Sequence, residues 1–321
     1  MSRELQLCEL HATPTDTHSR IGAMRVAIVD VGANTLRLLV ADADREGNVD
    51  VVREQKCQLG LGEEIEANGG RIGAGKLAEA AATAGMHVRR ARKLNVDAVQ
   101  ILVTSPGRQA SNGDELVRAL TAATRVPATV LTADAEGELA WRGAVGAAAN
   151  LPETVGVCDV GGGSVQLVVG TTVDGPAWTR SVDIGSLRLT RRTLHNDPPT
   201  AAQLATAEQD VAAAFADLTP PLPHVLYATG GTARALRRIV GRRELASVDL
   251  DVALRKLATR SSRQIANDFG VDRARAHTLT AGTIVISEVQ RRLGMPLVVA
   301  RGGIREGAVL EISSGRLVAA G

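Results

Sequence analysis

Two short runs carry the residue types that hold phosphate. Asp30-Val-Gly-Ala-Asn-Thr35 and Asp159-Val-Gly-Gly-Gly-Ser164 each place a carboxylate, a glycine turn and a hydroxyl in close succession. A turn of the form Asp-x-Gly-x-x-Ser/Thr points several backbone N–H groups one way. Its glycines permit positive φ and let a phosphate oxygen approach the main chain. The hydroxyl of Thr35 or Ser164 adds a donor, and Asp30 or Asp159 can hold a divalent cation. On this reading Gly32, Ala33, Asn34 and Thr35 form one phosphate cradle. Gly161, Gly162, Gly163 and Ser164 form the other. A third turn, Thr229-Gly230-Gly231-Thr232, extends the phosphate or nucleotide reading. A lone glycine turn is weak evidence, because ordinary hairpins use them too.

Repetition makes the evidence stronger. Ile28-Val-Asp-Val-Gly-Ala-Asn-Thr-Leu-Arg-Leu-Leu-Val40 aligns without gaps against Val157-Cys-Asp-Val-Gly-Gly-Gly-Ser-Val-Gln-Leu-Val-Val169. A strand ending in Asp, a turn with a hydroxyl and a second strand are written twice, so the chain reads as a duplicated α/β domain. The two copies are expected to face each other across an interdomain cleft. Strand alternation points Arg37 the same way as Thr35, towards that cleft.

The elements that must position these turns follow from periodicity and punctuation. In the first half strands are expected at 25–30, 36–41, after the turn at 45–48, at 98–104 and at 128–131. Helices are expected at 75–94, 114–125 and 134–149. The second half repeats the opening, with strands at 155–159, 165–170 and 177–182. Helices follow at 187–194 and 200–215, the latter with a capping box of Thr200 and Gln203. A strand at 225–228, a helix at 232–240, mostly helical chain including 272–293, a strand at 297–300 and a helix at 304–312 complete the pattern. Residues 24–146, with 309–321 packing back on them, form the first domain and 147–308 the second. Residues 1–23 are expected to be a disordered extension.

Composition narrows the function. The 321 residues contain 45% hydrophobic but only 2% aromatic side chains, so the cores must be aliphatic. With 37 basic and 35 acidic residues, the net charge of +2 argues against a dedicated nucleic-acid binder. Cys8, Cys57 and Cys158 are far apart and suggest neither a disulfide framework nor a zinc site. The six histidines lack ligand spacing. No apolar run approaches the ~20 residues of a membrane span, so a cytoplasmic protein without membrane partners is expected. The basic clusters at 89–93, 191–192 and 237–243 read as solvated helix faces, the last being the best placed to meet a long polyanion.

Several motifs in order resemble the Ppx/GppA family of exopolyphosphatases and guanosine pentaphosphate phosphohydrolases, part of the actin-like (ribonuclease H-like) superfamily. They are Asp30-Val-Gly-Ala-Asn-Thr-Leu-Arg37, Thr104-Ser-Pro-Gly-Arg108 with Asn112, Ala135-Glu-Gly-Glu-Leu-Ala-Trp-Arg-Gly143 and Asp159-Val-Gly-Gly-Gly-Ser-Val-Gln166. Later come Gly185-Ser-Leu-Arg-Leu189, Thr229-Gly-Gly-Thr232, the run 275–282 and Gly303-Ile-Arg-Glu-Gly307. The likeness covers nearly all of 24–314 and describes a short form without the extra C-terminal helical domains of longer relatives.

The resemblance implies an actin-like duplicated two-domain fold and hydrolysis of terminal phosphate from inorganic polyphosphate. The alternatives are release of the terminal phosphate of guanosine pentaphosphate, or a weakly active protein that binds polyphosphate or guanosine penta-/tetraphosphate. Under it Glu136 is the general base that prepares a water, and Arg108 clamps the phosphate being cleaved. Glu138, two residues on, should face solvent. It also implies Mg²⁺ or another divalent cation at Asp159 with Asp30 and Gln166, and a homodimer. Two departures stand out. Ala33 occupies a usual serine position and removes one donor. Gln166 stands where the family has glutamate, so it offers a ligand oxygen without charge and metal affinity should fall.

Overall fold

Val, Ile and Leu recur through both repeated hairpins, and in the computed structural model each hairpin is the centre of its own sheet. The structure describes residues 22–316 and the backbone of Cys8–His11. It divides into unit 1, Met1–Ala147 with Ile304–Gly321, and unit 2, Ala148–Gly303. The whole final helix therefore belongs to unit 1, where the expectation gave it only 309–321.

The sheet of unit 1 runs β1 (Cys8–His11), β4 (Val49–Gln58), β3 (Thr35–Ala43), β2 (Met24–Val31), β5 (Ala98–Val103), β6 (Ala128–Val130). The first four are antiparallel neighbours, and β5 and β6 run parallel to β2. Alternation along β2 and β3 sends Ala27, Val29, Leu36 and Leu38 to one face. There α2 (Ala74–Arg92) and α4 (Gly113–Thr124) cover them with Ala80, Ala84, Val88, Leu116 and Leu120. Val26, Ile28, Leu39 and Ala41 point to the other face. They pack with Leu139 of α5 (Ala133–Gly146) and with Ala308, Val309 and Ile312 of α12 (Ile304–Ser313). Gly307 sets the approach of α12: a Cβ there would lie 2.0 Å from the Leu139 carbonyl oxygen.

Unit 2 repeats the plan. Its sheet runs β11 (Glu244–Leu245), β12 (Leu297–Val299), β10 (Val225–Thr229), β7 (Thr154–Val160), β8 (Val165–Thr171), β9 (Gly175–Val182). Counted from each repeated hairpin, both units place their first four strands third, second, first, fourth; unit 1 adds the fifth beside the fourth, whereas unit 2 adds the sixth, with the two-residue fifth on its outer edge. The unit 2 core is almost wholly aliphatic around Phe215, and α11 (Arg273–Leu293) runs through it. Around it lie α6 (Ser186–Thr193), α7 (Ala201–Ala214), α8 (Gly230–Val240), α9 (Ser247–Ala258) and α10 (Ser262–Phe269). Thr200 and Gln203 form both halves of the expected capping box at α7.

Some elements differ from expectation. Cys8–His11 pairs with β4, so those four residues are strand and not disordered extension. The rest of 1–21 lies outside the described residues. The helices α1 (Leu61–Ala67) and α3 (Ser105–Gln109) and the two-residue β11 were not foreseen. In α3 the sequence Ser-Pro-Gly hides the helix, because Pro106 sits in the first turn, where its missing N–H costs nothing. Cys57 is disulfide-bonded, which corrects the expectation of no bridge. Cys158 is a free, fully buried thiol whose pKa burial pushes up. Among the described residues no helix is long and apolar enough to cross a membrane.

His87 of α2 is fully buried, and burial, with the nearby Arg90, lowers its pKa to about 4. The unfolded chain takes up this proton near pH 6.5, whereas the folded protein refuses it until about pH 4. Stability should therefore fall as pH drops through that window, by about 3 kcal/mol from this group. His87→Leu should flatten the slope in urea unfolding at pH 6.5 against pH 4.5. An unchanged difference between the two pH values contradicts the assignment.

Candidate active site

The parallel strands β2, β5 and β6 end on one edge of the unit 1 sheet, where ligands of α/β sheets commonly bind. Each delivers part of the predicted site. After β2 comes the first turn, closed by the Gly32 N–H donating to the Thr35 carbonyl at 3.0 Å. After β5 comes Thr104, whose N–H donates to Val31 O at 3.1 Å and which leads α3 and Arg108 off beside the turn. After β6 comes α5, capped by the Thr132 hydroxyl, which accepts from Ala135 N at 3.1 Å.

Glu136 lies in the first turn of α5 and is 4% exposed. Burial of a carboxylate is costly unless it is paired, and Arg108 supplies the pair: its Nη2 is 2.8 Å from Glu136 Oε2. Arg108 Nη1 donates to Leu131 O at 2.7 Å, so the guanidinium is held from both sides. Glu138 is exposed, as expected of the control residue. Asn112, part of the same motif, has a structural duty. Its amide bonds both the N–H and the carbonyl of Ile72, each at 2.9 Å, and anchors the loop before α4.

The first turn has a defined polarity. The Asn34 carbonyl accepts from Leu59 N and Gly60 N at 3.0 and 3.1 Å, and the Ala33 carbonyl accepts from Gly62 N at 2.7 Å. The carbonyls are thus tied back to the start of α1, which leaves the opposite side of the turn for its N–H groups. Arg37 Nε donates to Thr35 Oγ1 at 3.2 Å, so Arg37 reaches the turn as alternation predicts. Asp30 is the cross-strand partner of Arg37. It also lies in the field of Arg305, a buried residue of α12 whose Nη2 is 2.9 Å from Glu54 Oε1. Burial alone would lower the pKa of Arg305, but Glu306, Glu54 and Asp30 outweigh it and hold the guanidinium above its usual value. A carboxylate facing a buried cation suits metal binding poorly.

The second turn has the same polarity. Gly161 N donates to Ser164 O at 3.0 Å. The Gly161 carbonyl accepts from Ser186 N at 2.9 Å, and that of Gly162 from Leu187 N and Arg188 N at 2.9 and 3.1 Å. The donors are the first amides of α6. Positive φ plays no part in Gly32, Gly161, Gly162 or Gly163, which corrects the expectation. Close approach is what demands glycine, above all where Gly185 meets Gly162: a Cβ on Gly185 would lie 2.3 Å from the Gly162 carbonyl.

Asp159, Gln166 and Ser181 lie in one cross-strand row. Asp159 is 6% exposed and accepts a short hydrogen bond from the Thr229 hydroxyl. Gln166 is 1% exposed. Its Nε2 donates to Ser164 Oγ at 2.9 Å and to Ser181 Oγ at 3.2 Å. Its Oε1 is buried and has no hydrogen-bond partner among the described residues. No cluster of three or more His, Cys, Asp or Glu that could hold a metal occurs among those residues.

Gly230 and Gly231 open α8 two residues earlier than periodicity suggests, with Thr229 as the N-cap residue. Gly230 has φ +88°, and a Cβ there would sit 3.1 Å from Asp159 Oδ1. Arg275 lies on the Gly231 backbone, 2.4 Å from where a Cβ would be, and its Nη1 is 3.4 Å from Thr232 Oγ1. Burial and Arg234 lower its pKa, against the opposing pull of Asp272 and Asp159. Sequence reasoning gave Arg275 no role. The only signal was its place at the head of a matched motif.

The model of the Ppx/GppA phosphatase family matches residues 39–314. Exopolyphosphatase 2 of Mycobacterium tuberculosis is 30% identical over 293 residues, covering 84% of this chain and 91% of that protein. Exopolyphosphatase 1 of Mycobacterium leprae is 29% identical over 310 residues, with 89% of each chain covered. An exopolyphosphatase structure from Cytophaga hutchinsonii has a TM-score of 0.83 at 21% identity and covers 92% of this chain and 100% of its own. The Aquifex aeolicus Ppx/GppA family member has a TM-score of 0.77 at 22% identity with the same coverage. At such identities the structural likeness establishes the duplicated fold.

Proposed function

The chain belongs to the Ppx/GppA phosphatase family, and from that premise we propose that it hydrolyses inorganic polyphosphate from the end, releasing orthophosphate. The observation that carries this reading is the buried pair of Glu136 with Arg108, placed by α5 and α3 at the edge that also bears the first turn. Glu136 takes a proton from water as the oxygen attacks the terminal phosphorus. The bridging P–O bond breaks and its electrons leave with the shortened chain. Arg108 orients the carboxylate and offers its remaining N–H groups to the phosphate under attack. Each unit offers its own donors to phosphate oxygens: the amides of the first turn with Thr35 in unit 1, and those of the second turn with Ser164 and Arg275 in unit 2.

A divalent cation such as Mg²⁺ fits unit 2. The unpartnered Gln166 Oε1 and the Asp159 carboxylate are cross-strand neighbours, and Mg²⁺ usually takes one or two carboxylates plus substrate phosphates. Bound there, it would offset charge on the phosphate chain. Gln166→Glu should lower the Mg²⁺ concentration for half-maximal phosphate release by about tenfold, because a neutral ligand becomes an anionic one. An unchanged or higher requirement counts against Gln166 as a ligand.

The direct test is orthophosphate release by the purified protein from long-chain polyphosphate and from guanosine pentaphosphate, with Mg²⁺ and with chelator. Release from polyphosphate that needs Mg²⁺ is expected. Preference for guanosine pentaphosphate would move the reading to that substrate. The neutral Gln166 favours a second reading, polyphosphate binding without turnover, and this is what tight binding with no release from either compound would support.

A further inference from the structure

Unit 2 carries a set of arginines outside the site described above. The strands β7, β10 and β12 are parallel and end on one rim of the sheet, at Asp159, Thr229 and just before Arg301. From the end of β10, α8 runs to Gly241, and the chain then enters β11, which is antiparallel to β12. The entry point is on the same rim, since Val299 N donates to Arg243 O at 2.8 Å. Both ends of α8 are therefore at this rim. Its 11 residues span about 16 Å, enough to cross the roughly 10 Å from β10 past β12 to β11. The helix lies along the rim, and the direction in which it runs is away from Asp159.

Its buried side is Thr232, Ala233, Ala235 and Leu236, and its exposed side carries Arg234, Arg237 and Arg238. Arg238 is engaged with the Gly270 carbonyl, and Arg242 with Asp249 at 2.5 Å. Arg237 and Arg301 are different. Both are exposed, and among the described residues neither has a carboxylate within ion-pair distance. Arg243 lies beside them, half-buried, with Nη2 donating to Val299 O. Burial lowers its pKa, and repulsion from Arg237 and Arg301 lowers it further. Like charges gathered on a surface repel one another, and a bound anion relieves that repulsion.

We propose that Arg237 and Arg301, backed by Arg243, form a subsite for the trailing phosphates of a long polyphosphate chain whose earlier phosphates lie at the Asp159 and Gly230–Thr232 turns. The inference rests on reading those turns as phosphate-binding. It assigns the specificity for long chains to the rim and leaves short substrates to the turns alone. A guanosine pentaphosphate or a tripolyphosphate is too short to need the arginines, whereas a chain of hundreds of phosphates runs across them.

The test measures binding without turnover, by calorimetry in chelator, of polyphosphate several hundred units long and of tripolyphosphate. Wild type is compared with the double variant Arg237→Gln/Arg301→Gln and with the charge-matched control Arg191→Gln/Arg192→Gln. The rim variant should bind long chains about tenfold more weakly, roughly threefold per lost arginine–phosphate contact, and show a shallower dependence on salt. Its affinity for tripolyphosphate, and the control's affinity for both, should stay within about twofold of wild type. Long-chain binding as tight as wild type, an equal loss for tripolyphosphate, or an equal loss in the control overturns the subsite. Because no turnover is involved, a protein that binds long chains through the rim yet releases no phosphate refutes the hydrolase reading and leaves the rim standing.

Discussion

Phosphate release by Glu136→Gln is expected to fall about a thousandfold, within the range that positioned general bases contribute, with little change in KM. The variant is nearly isosteric. Its amide oxygen can stay beside Arg108 Nη2, which lies 2.8 Å from Glu136 Oε2, and Arg108 keeps its bond to the Leu131 carbonyl. The Thr132 cap on α5 is untouched. What is lost is the ability to take a proton from water. Glu138→Gln, on the exposed side of the same helix, should leave the rate unchanged. Steady-state release from long-chain polyphosphate measures both. A Glu136→Gln protein that keeps a tenth of wild-type activity would move the base elsewhere.

The second large effect belongs to a residue that touches no substrate. In Gly185→Ala the new Cβ would lie 2.3 Å from the carbonyl carbon and oxygen of Gly162 and 2.4 Å from Gly163 N. These are backbone atoms, so no side chain can swing away to relieve the clash. Either the turn or the start of α6 must shift by about an ångström. A misplacement of that size costs on the order of a hundredfold in rate. The hydrogen bonds from Ser186, Leu187 and Arg188 that aim the turn would weaken with it. Stability should drop by about 1–3 kcal/mol, as for other overpacked sites. Gly75→Ala is the matched control, because nothing lies within 4 Å of its Cβ position. Assays of kcat/KM beside thermal unfolding separate the two losses. A folded Gly185→Ala protein with full activity would show that the second turn does not hold substrate.

Local pattern made much of this molecule readable. The hairpins, their shared Asp-x-Gly framework and the duplication are contained in thirteen aligned residues, and the sheets follow from aliphatic alternation around them. Glu136 and Arg108 could be named because they sit at an element start and end, in motifs that resemble a family. Contacts between distant segments were less visible. The tie of the first turn to α1, the seating of Gly185 on Gly162 and the position of Arg275 on Gly231 join residues 23 to 44 positions apart. None leaves a periodic trace. The reason for the glycines of the two hairpin turns is hidden for the same cause: backbone crowding from another segment looks, in sequence, just like the need for positive φ that Gly230 does have. Asn112 is a bare motif position in sequence, and only its paired bonds to Ile72 show that it holds a loop.

Synthesis of this chain is constrained by the place of α12. The face of β2 and β3 formed by Val26, Ile28, Leu39 and Ala41 receives Ala308, Val309 and Ile312, residues translated only after the whole of unit 2. A nascent chain that has left the ribosome as far as residue 303 holds every strand of both sheets, yet one side of its first sheet still lacks its last helix. Unit 2 is contiguous and has no such debt, so the half made second can finish folding first. Until α12 emerges, that aliphatic face is a natural ligand for chaperones.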